Sequence, residues 1–169
     1  MIFRKPNASD INEIEAFKKE FIDHNSSMDG TGFLRSCSAT EWLQSNADME
    51  QVRDPLLSKA LQYGLFDHNG RLLGLLQIRL ELKGYLSEFG GNIGYCVRPS
   101  ERGKGYAKQM LMSALPVSKA VGLDRVLITC LEGNIASEKT ILSCGGVYEK
   151  TVFDNKNYQQ NLKRYWIAL

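Results

Sequence analysis

The chain has no paired-cysteine motif and almost no histidine, and these shortages remove whole classes of chemistry. The four cysteines, at 37, 96, 130 and 144, never fall at Cys-x-x-Cys spacing, and His24 and His68 stand far from them and from each other in sequence. No three or four ligands converge, so no metal site is expected. Cys96 and Cys130 fall in predicted strands and Cys144 near a predicted helix end, where they read as small buried apolar side chains in a reducing compartment. No apolar run is long enough to cross a bilayer, and no membrane partner is expected. The opening MIFRKPNASD meets a proline and polar residues before an apolar core can develop, so a secretory signal is not expected and a cytoplasmic location is. The formal net charge is only +2, with no Lys/Arg block interleaved with stacking aromatics, which argues against a nucleic-acid partner.

What is present describes an ordinary globular chain. Its 169 residues, 43% hydrophobic and 24% charged, suit one substantial core, and a single domain over residues 1–169 is expected. Ile2–Lys5 reads as an opening strand. Ala8-Ser9-Asp10 supplies cap candidates for a helix with Ile11, Ile14, Phe17 and Phe21 at helical spacing. The Ser-, Gly- and Asp-rich stretch His24–Ser38 reads as a long loop before a short helix, Ala39–Ser45. Leu61–Asp67 and Arg71–Leu82 form a hairpin around Asn69-Gly70. Gly84–Gly90 breaks the pattern, and Asn92–Val97 alternates as a strand. From Gly105 a helix follows, which Pro116 is expected to kink or to divide. Arg125–Leu131 is a strand, Ala136–Cys144 a helix closed by Gly145-Gly146, and Val147–Phe153 and Leu162–Leu169 are final strands. So few alternating βα units point to a mixed sheet in an α/β or α+β domain rather than a doubly wound one.

The stretch GGNIGYCVRPSERGKGYA, Gly90–Ala107, runs a strand through a proline-marked turn into a basic, glycine-interrupted loop that opens a helix. Amides at a helix N-terminus have no intrahelical partners and carry the positive end of the helix dipole, so they can donate to phosphate oxygens. Gly103 and Gly105 allow close backbone approach, and Arg98, Arg102 and Lys104 add positive charge. The same spacing also occurs in plain solvated turns.

Arg102-Gly103-Lys104-Gly105-Tyr106-Ala107 fits the Arg/Gln-x-x-Gly-x-Gly/Ala signature of the GNAT acyl-CoA N-acyltransferases, and IGYCVRPSERGKGYAKQML resembles a typical member. Val126–Cys130, then Asn134-Ile135-Ala136-Ser137, then Gly145-Gly146 are similar to the family's next strand, its Asn-x-x-Ala/Ser helix start and its closing glycine. The specific likeness covers about Ile93 to Leu169; the first half shares only the order of elements. The resemblance implies a GNAT fold, with a mixed central sheet of about six to seven strands, about four helices and a splay between the fourth and fifth strands. It further implies acetyl-CoA as co-substrate. Its pantetheine arm would lie along the strand edge at Tyr95, Cys96 and Val97, and its pyrophosphate on the loop Arg102, Gly103, Lys104, Gly105, Tyr106, Ala107 and Lys108. Asn134 matches the family's asparagine, and Ser137 and Lys139 follow at the helix start; Asn134 also reads as a turn residue, Ser137 as a cap and Lys139 as a solvated side chain.

The implied reaction is acetyl transfer from the thioester to a primary amine by direct attack in a ternary complex. It needs a neutral amine, a donor for the carbonyl oxygen (an amide near Val97) and a proton for the leaving thiolate. Where many relatives place a tyrosine acid, seven residues past the asparagine, this chain has Ile141, which leaves the acid unassigned. Asn92 stands where relatives often carry a Glu or His base and can at most hold a water. Glu81 and Glu88 flank that region, and Tyr95, Tyr148 and Tyr165 are acids by chemistry alone, so Glu81, Asn92 and Tyr148 are the catalytic candidates. Asp29 and Phe33, in the long loop, are candidates for acceptor contact. A second reading is an acyl-CoA-binding regulatory or sensory domain with little turnover. No deep acidic cluster specifies a polycation, so polyamines, amino acids, antibiotics and peptide amines stay open as acceptors. The C-terminal RYWIAL is a candidate for pairing across a homodimer.

Overall fold

The computed structural model describes residues 1–54 and 56–169. In chain order the elements are β1 (Ile2–Arg4), α1 (Ile11–Asp23), α2 (Ala39–Gln51), β2 (Ala60–Phe66), β3 (Leu72–Arg79), β4 (Ile93–Val97), α3 (Tyr106–Ala120), β5 (Arg125–Leu131), α4 (Ile135–Ser143), β6 (Val147–Asp154) and β7 (Gln160–Ala168). Short helical turns at Ala8–Asp10, Leu34–Ser36, Leu86–Gly90 and Pro99–Glu101 join them.

Local chemistry sets the helix starts. Asn7 accepts from the Ser9 amide while Asp10 reaches back to the Asn7 amide, a capping box that aims the chain into α1. Ser38 and Glu41 do the same for α2. α2 runs six residues past the expected Ser45 because capping, not burial, drives it: only Ala39 and Trp42 of the helix are buried, so apolar spacing understates its length. α3 continues through Pro116 without dividing. Pro116 and Met112, whose carbonyl loses its partner, are both exposed, so water can serve that carbonyl.

The seven strands form two antiparallel sheets, β1-β2-β3-β4 and β5-β7-β6. In the first, Phe3 faces Leu65, Gly64 faces Leu75 and Leu76 faces Tyr95. One of its faces carries Leu75 and Cys96 against Ile14, Phe17 and Phe21 of α1 and Trp42 of α2. The other carries Leu65, Leu76 and Ile93 against Met110, Leu111 and Ala114 of α3, a layer that continues onto Val126, Ile128 and Tyr165 of the second sheet. In the second sheet β7 lies in the middle, pairing Tyr165 with Ile128 on one side and with Tyr148 on the other. The run RYWIAL pairs with β5 as far as Ala168 and with β6 only as far as Trp166, and the outer strand is β6.

The mixed sheet expected from the sequence is thus split where a splay was anticipated. Among the described residues β4 and β5 share no ladder and are tied only where they begin. The Asn92 amide donates to the Leu127 carbonyl at 2.7 Å, the Leu127 amide donates to Asn92 Oδ1 at 2.8 Å, and Thr129 Oγ1 donates to the Phe89 carbonyl at 2.7 Å. Gly91 makes this tie possible. Its φ is +69°, and a Cβ there would lie 2.5 Å from the Leu127 carbonyl oxygen. Gly91→Ala should therefore cost about 2 kcal/mol or more, combining left-handed strain with a backbone clash. Gly122 shares the positive φ, at +92°, but has open space around it, so Gly122→Ala should cost only about 1 to 2 kcal/mol. Urea unfolding of both variants checks this; equal losses would show that the contact with Leu127 relaxes freely.

Candidate active site

The gap between β4 and β5 has a polarity that can be derived from register. The Arg79 amide bonds the Asn92 carbonyl at 2.7 Å and the Arg98 amide bonds the Leu73 carbonyl at 2.9 Å, so even-numbered residues of this strand face β3. Odd-numbered residues alternate, and the amides and carbonyls of Tyr95 and Val97 point toward the gap. Arg102 Nε takes the Val97 carbonyl at 3.2 Å. The Tyr95 side chain extends to α4, its hydroxyl 2.9 Å from Ser137 Oγ. Burial pushes the Tyr95 phenol up to about 12, so it keeps its proton at neutral pH.

At one end of the gap stands the glycine loop. Gly103 and Gly105 have φ of +78° and +83°, and the space over both is open. α3 carries no side-chain cap, and its first intrahelical bond beyond the loop is Gln109 N–H to the Gly105 carbonyl, so the amides of the first turn are free to donate. Lys108 and Lys139 are exposed, with no hydrogen-bond or ion-pair partner among the described residues. Arg102 reaches Ser26 Oγ and lies over the Phe21 ring, and Lys104 pairs with Glu101. Arg98 does not join them. It is 4% exposed and paired with Glu13 and Glu20 of α1, so its charge is neutralised inside the protein. Asn134 Oδ1 caps α4 by accepting the Ser137 amide at 3.1 Å, leaving its Nδ2 available.

At the other end lies the loop between α1 and α2. Gly30 stacks on β4 so closely that a Cβ on it would meet the Gly94 carbonyl oxygen at 2.0 Å. Gln62 Nε2 holds the Gly30 carbonyl at 3.1 Å, and Trp42 Nε1 holds the Thr31 carbonyl at 2.7 Å. This pins the exposed Asp29 beside the strand, where its carboxylate accepts from Ser27 and, at 3.1 Å, from the Tyr158 hydroxyl. Tyr158 is delivered by the β6–β7 turn, which Asp154 organises. Burial pushes the Asp154 carboxyl up, but the Tyr85 hydroxyl and the amides of Lys156, Asn157 and Tyr158 outweigh it and hold the group below the ordinary range. Burial and the Asp29 charge raise the Tyr158 phenol. Arg79, at the end of β3, donates to Gln77 Oε1 and to the carbonyls of Gly90 and Gly91.

An anion cradle, an open strand edge and a carboxylate are thus set in line. Residues 1–147 match the family model of the acetyltransferase (GNAT) domain. The chain belongs to the GNAT acetyltransferases. Its fold is similar to that of RimL, a ribosomal-protein alpha-N-acetyltransferase solved with coenzyme A (18% identity, TM-score 0.74, covering 99% of this chain and 93% of that one). It is also similar to a ribosomal-protein alanine acetyltransferase from Vibrio fischeri (16%, 0.74, 98% and 91%). A third similar structure is a chimera of the spermidine N-acetyltransferase SpeG from Vibrio cholerae with hSSAT (18%, 0.68, 99% and 96%). None of the curated protein sequences compared with the chain matches it.

For a GNAT domain the expected groups divide clearly. The loop from Arg102 to Lys108 follows β4, Tyr95 and Val97 turn their backbone groups to the gap, Ser137 meets the Tyr95 hydroxyl, Asn134 caps α4 after β5, and Lys139 is exposed on α4. Cys96 points away, buried against α1, where burial drives its thiol far up. Asn92 is buried and engages both ends of its amide in the sheet tie, accepting from Leu127 and donating to the Arg79 carbonyl. Glu81 is an exposed partner of Lys83, Glu88 is exposed on the Leu86–Gly90 turn, and Tyr148 is half exposed on β6 with its hydroxyl on Thr151. Ile141, read as a vacant acid position, is fully buried in the core, and a Cβ on Gly146 would touch it at 2.5 Å. Sequence reasoning missed Arg79, Tyr85, Asp154 and Tyr158; only the Asp-Asn-Lys-Asn turn composition hinted at the last two.

The observed geometry fits a CoA co-substrate: free helix-start amides under open space suit a pyrophosphate, and an unpaired strand edge suits the pantetheine amides. Gly105→Glu introduces strain at φ +83° and a negative charge over that cradle. Calorimetry should show acetyl-CoA binding weakened at least about tenfold, or about 1.4 kcal/mol. Unchanged affinity in a folded variant removes the loop from the site.

Proposed function

We propose that this chain is an N-acetyltransferase that moves an acetyl group from acetyl-CoA to a primary amine by direct attack in a ternary complex. One observation carries the reading: the free edge of β4 runs between an anion cradle and the Asp29 carboxylate, so donor and acceptor are led to the same strand from opposite ends. We also read residues 1–169 as one GNAT domain. Although the family match ends at 147, β7 pairs with β5 from Leu162 to Ala168 and completes the sheet that borders the gap.

Each chemical requirement then has a residue. The Asp29 carboxylate attracts the incoming ammonium and, directly or through water, takes its proton, leaving a lone pair for attack on the thioester carbonyl. A gap-facing amide of Tyr95 or Val97 donates to the carbonyl oxygen as negative charge grows on it. As the new C–N bond forms and the C–S bond breaks, the nitrogen gives up its second proton to water and Ser137 passes a proton to the sulfur and regains one from water, held in place by the Tyr95 hydroxyl 2.9 Å away. Ser137 thereby replaces the phenol that position 141 does not offer.

The test is CoA-thiol release by purified protein with acetyl-CoA and a panel of amines. Ser137→Ala should lower kcat about 10- to 100-fold while leaving acetyl-CoA affinity within about threefold, because the lost hydroxyl acts in the transition state. Tyr95→Phe should show a smaller loss in the same direction. Normal kcat in Ser137→Ala would discard the acid assignment. Tight acetyl-CoA binding with no turnover on any amine would make the chain an acyl-CoA-binding domain instead.

A further inference from the structure

A cavity of about 330 Å³ opens between α2 and the ends of β2 and β3, and the active-site account leaves it unused. Its apolar wall includes Trp42, Met49, Leu57 and Leu86. Its polar lining is one-sided: Ser45, Asn46, Ser58, Gln77, Arg79 and Lys83 contribute and, among the described residues, no carboxylate does. Two of these groups lack partners among the described residues, Asn46 Nδ2 and the hydroxyl of Ser58, which is 7% exposed. Buried polar atoms left in this way are costly, at roughly 1 to 3 kcal/mol each, unless something else satisfies them.

The orientation of Gln77 can be worked out. Arg79 Nε donates to its Oε1 at 3.1 Å, which leaves the Nε2 amide free to donate, on the side where a Cβ on Gly32 of the cavity wall would lie 3.6 Å away. Arg79 Nη1 is committed to the Gly90 and Gly91 carbonyls, while Nη2 makes no hydrogen bond among the described residues. A Cβ built on Gly94 would lie 3.2 Å from that Nη2 and 3.0 Å from the Gly30 Cα, so the free guanidinium nitrogen and the Asp29 loop flank one point on β4. Arg79 has no ion-pair partner among the described residues; burial works against its charge, and the Asp29 charge offsets this only in part.

We infer that the acceptor is an α-amino acid with an apolar side chain, its carboxylate on Arg79 Nη2 and Gln77 Nε2, its side chain in the cavity and its amino group toward Asp29. The inference rests on the acetyltransferase reading of the gap. A zwitterion matches the arrangement because a cation and the loop that carries a carboxylate border the same short stretch of β4, at Gly94. A polyamine does not, since its second ammonium would face Arg79.

The probes are L-phenylalanine, phenethylamine, which is the same molecule without its carboxylate, and spermidine. In calorimetry with CoA present, phenylalanine should bind at least about tenfold more tightly than either amine. Gln77→Glu keeps an acceptor for Arg79 Nε but replaces the free donor with negative charge, and it should abolish that preference with unfolding in urea little changed. A second variant, Ser58→Ala, should preserve the preference for the carboxylate, because Ser58 is not assigned to it. Equal binding of phenylalanine and phenethylamine, tighter binding of spermidine, or an undiminished preference in Gln77→Glu would overturn the inference. Turnover separates the two ideas. Acetylation of spermidine in place of phenylalanine sinks the amino-acid assignment alone, whereas failure to acetylate any amine sinks the transferase reading whatever binds.

Discussion

The structure depends on one tie, the exchange between Asn92 and Leu127. Two sheets of four and three strands lie side by side, and the side chain and backbone of a single asparagine, helped by the Thr129 hydroxyl on the Phe89 carbonyl, supply hydrogen bonds that a longer ladder would otherwise provide. Asn suits this role because its amide presents an acceptor and a donor together: Oδ1 takes the Leu127 amide while Nδ2 satisfies the Arg79 carbonyl. An aspartate there would bring no donor and would bury a charge. The position that looks like a lost catalytic base is therefore occupied by the residue that begins the gap.

From that tie the strands part, and the unpaired edge acquires its value. Backbone amides facing a gap must find partners, and leaving them unsatisfied is costly. An extended ligand with amides of its own meets that need, as an added strand would. The two ends of the edge are supplied by different means. The glycine loop is local, a feature of consecutive residues, whereas the Asp29 end is assembled from three segments distant in sequence: the α1–α2 loop, the end of β3 and the β6–β7 turn. Asp154 matters as much as Asp29 because it orders the turn that brings Tyr158 to the carboxylate.

The difference between local and assembled features also explains how far the sequence could be read. Strand β5 was legible to the residue, and the anion loop could be located, because each is written in contiguous residues whose spacing has physical meaning. The partner of Arg98 was not, since a basic residue three positions before a glycine loop looks like part of that loop, and only the packing of α1 brings Glu13 and Glu20 over it. Ile141 is a related case. Counting from Asn134 gives its place on α4 but not the direction in which the helix turns it, and that direction is fixed by contact with Gly146 and the core. Arg79 lay inside a predicted strand, Arg71–Leu82, with no signal of its own, because what makes it unusual is the absence of an ion-pair partner among the described residues, with the Asp29 charge acting on it only from farther away.

That absence bears on how the acceptor end is organised. Carboxylates are plentiful elsewhere on the surface, and Arg4, Arg71, Arg98 and Arg164 each have one within 2.7 Å. Arg79 instead donates to two carbonyls and an amide, neutral acceptors that orient the guanidinium without cancelling its charge. A fold that needed only to bridge Gly90 and Gly91 to β3 could do so with a neutral donor, avoiding the desolvation of a cation. Retaining a charged group here, fixed in direction and left with one free nitrogen over β4, is intelligible when that nitrogen has an anion to receive. The Gly30–Gly94 contact then sets the scale of what fits, because it holds the Asp29 loop and the free guanidinium nitrogen against the same residue of the strand.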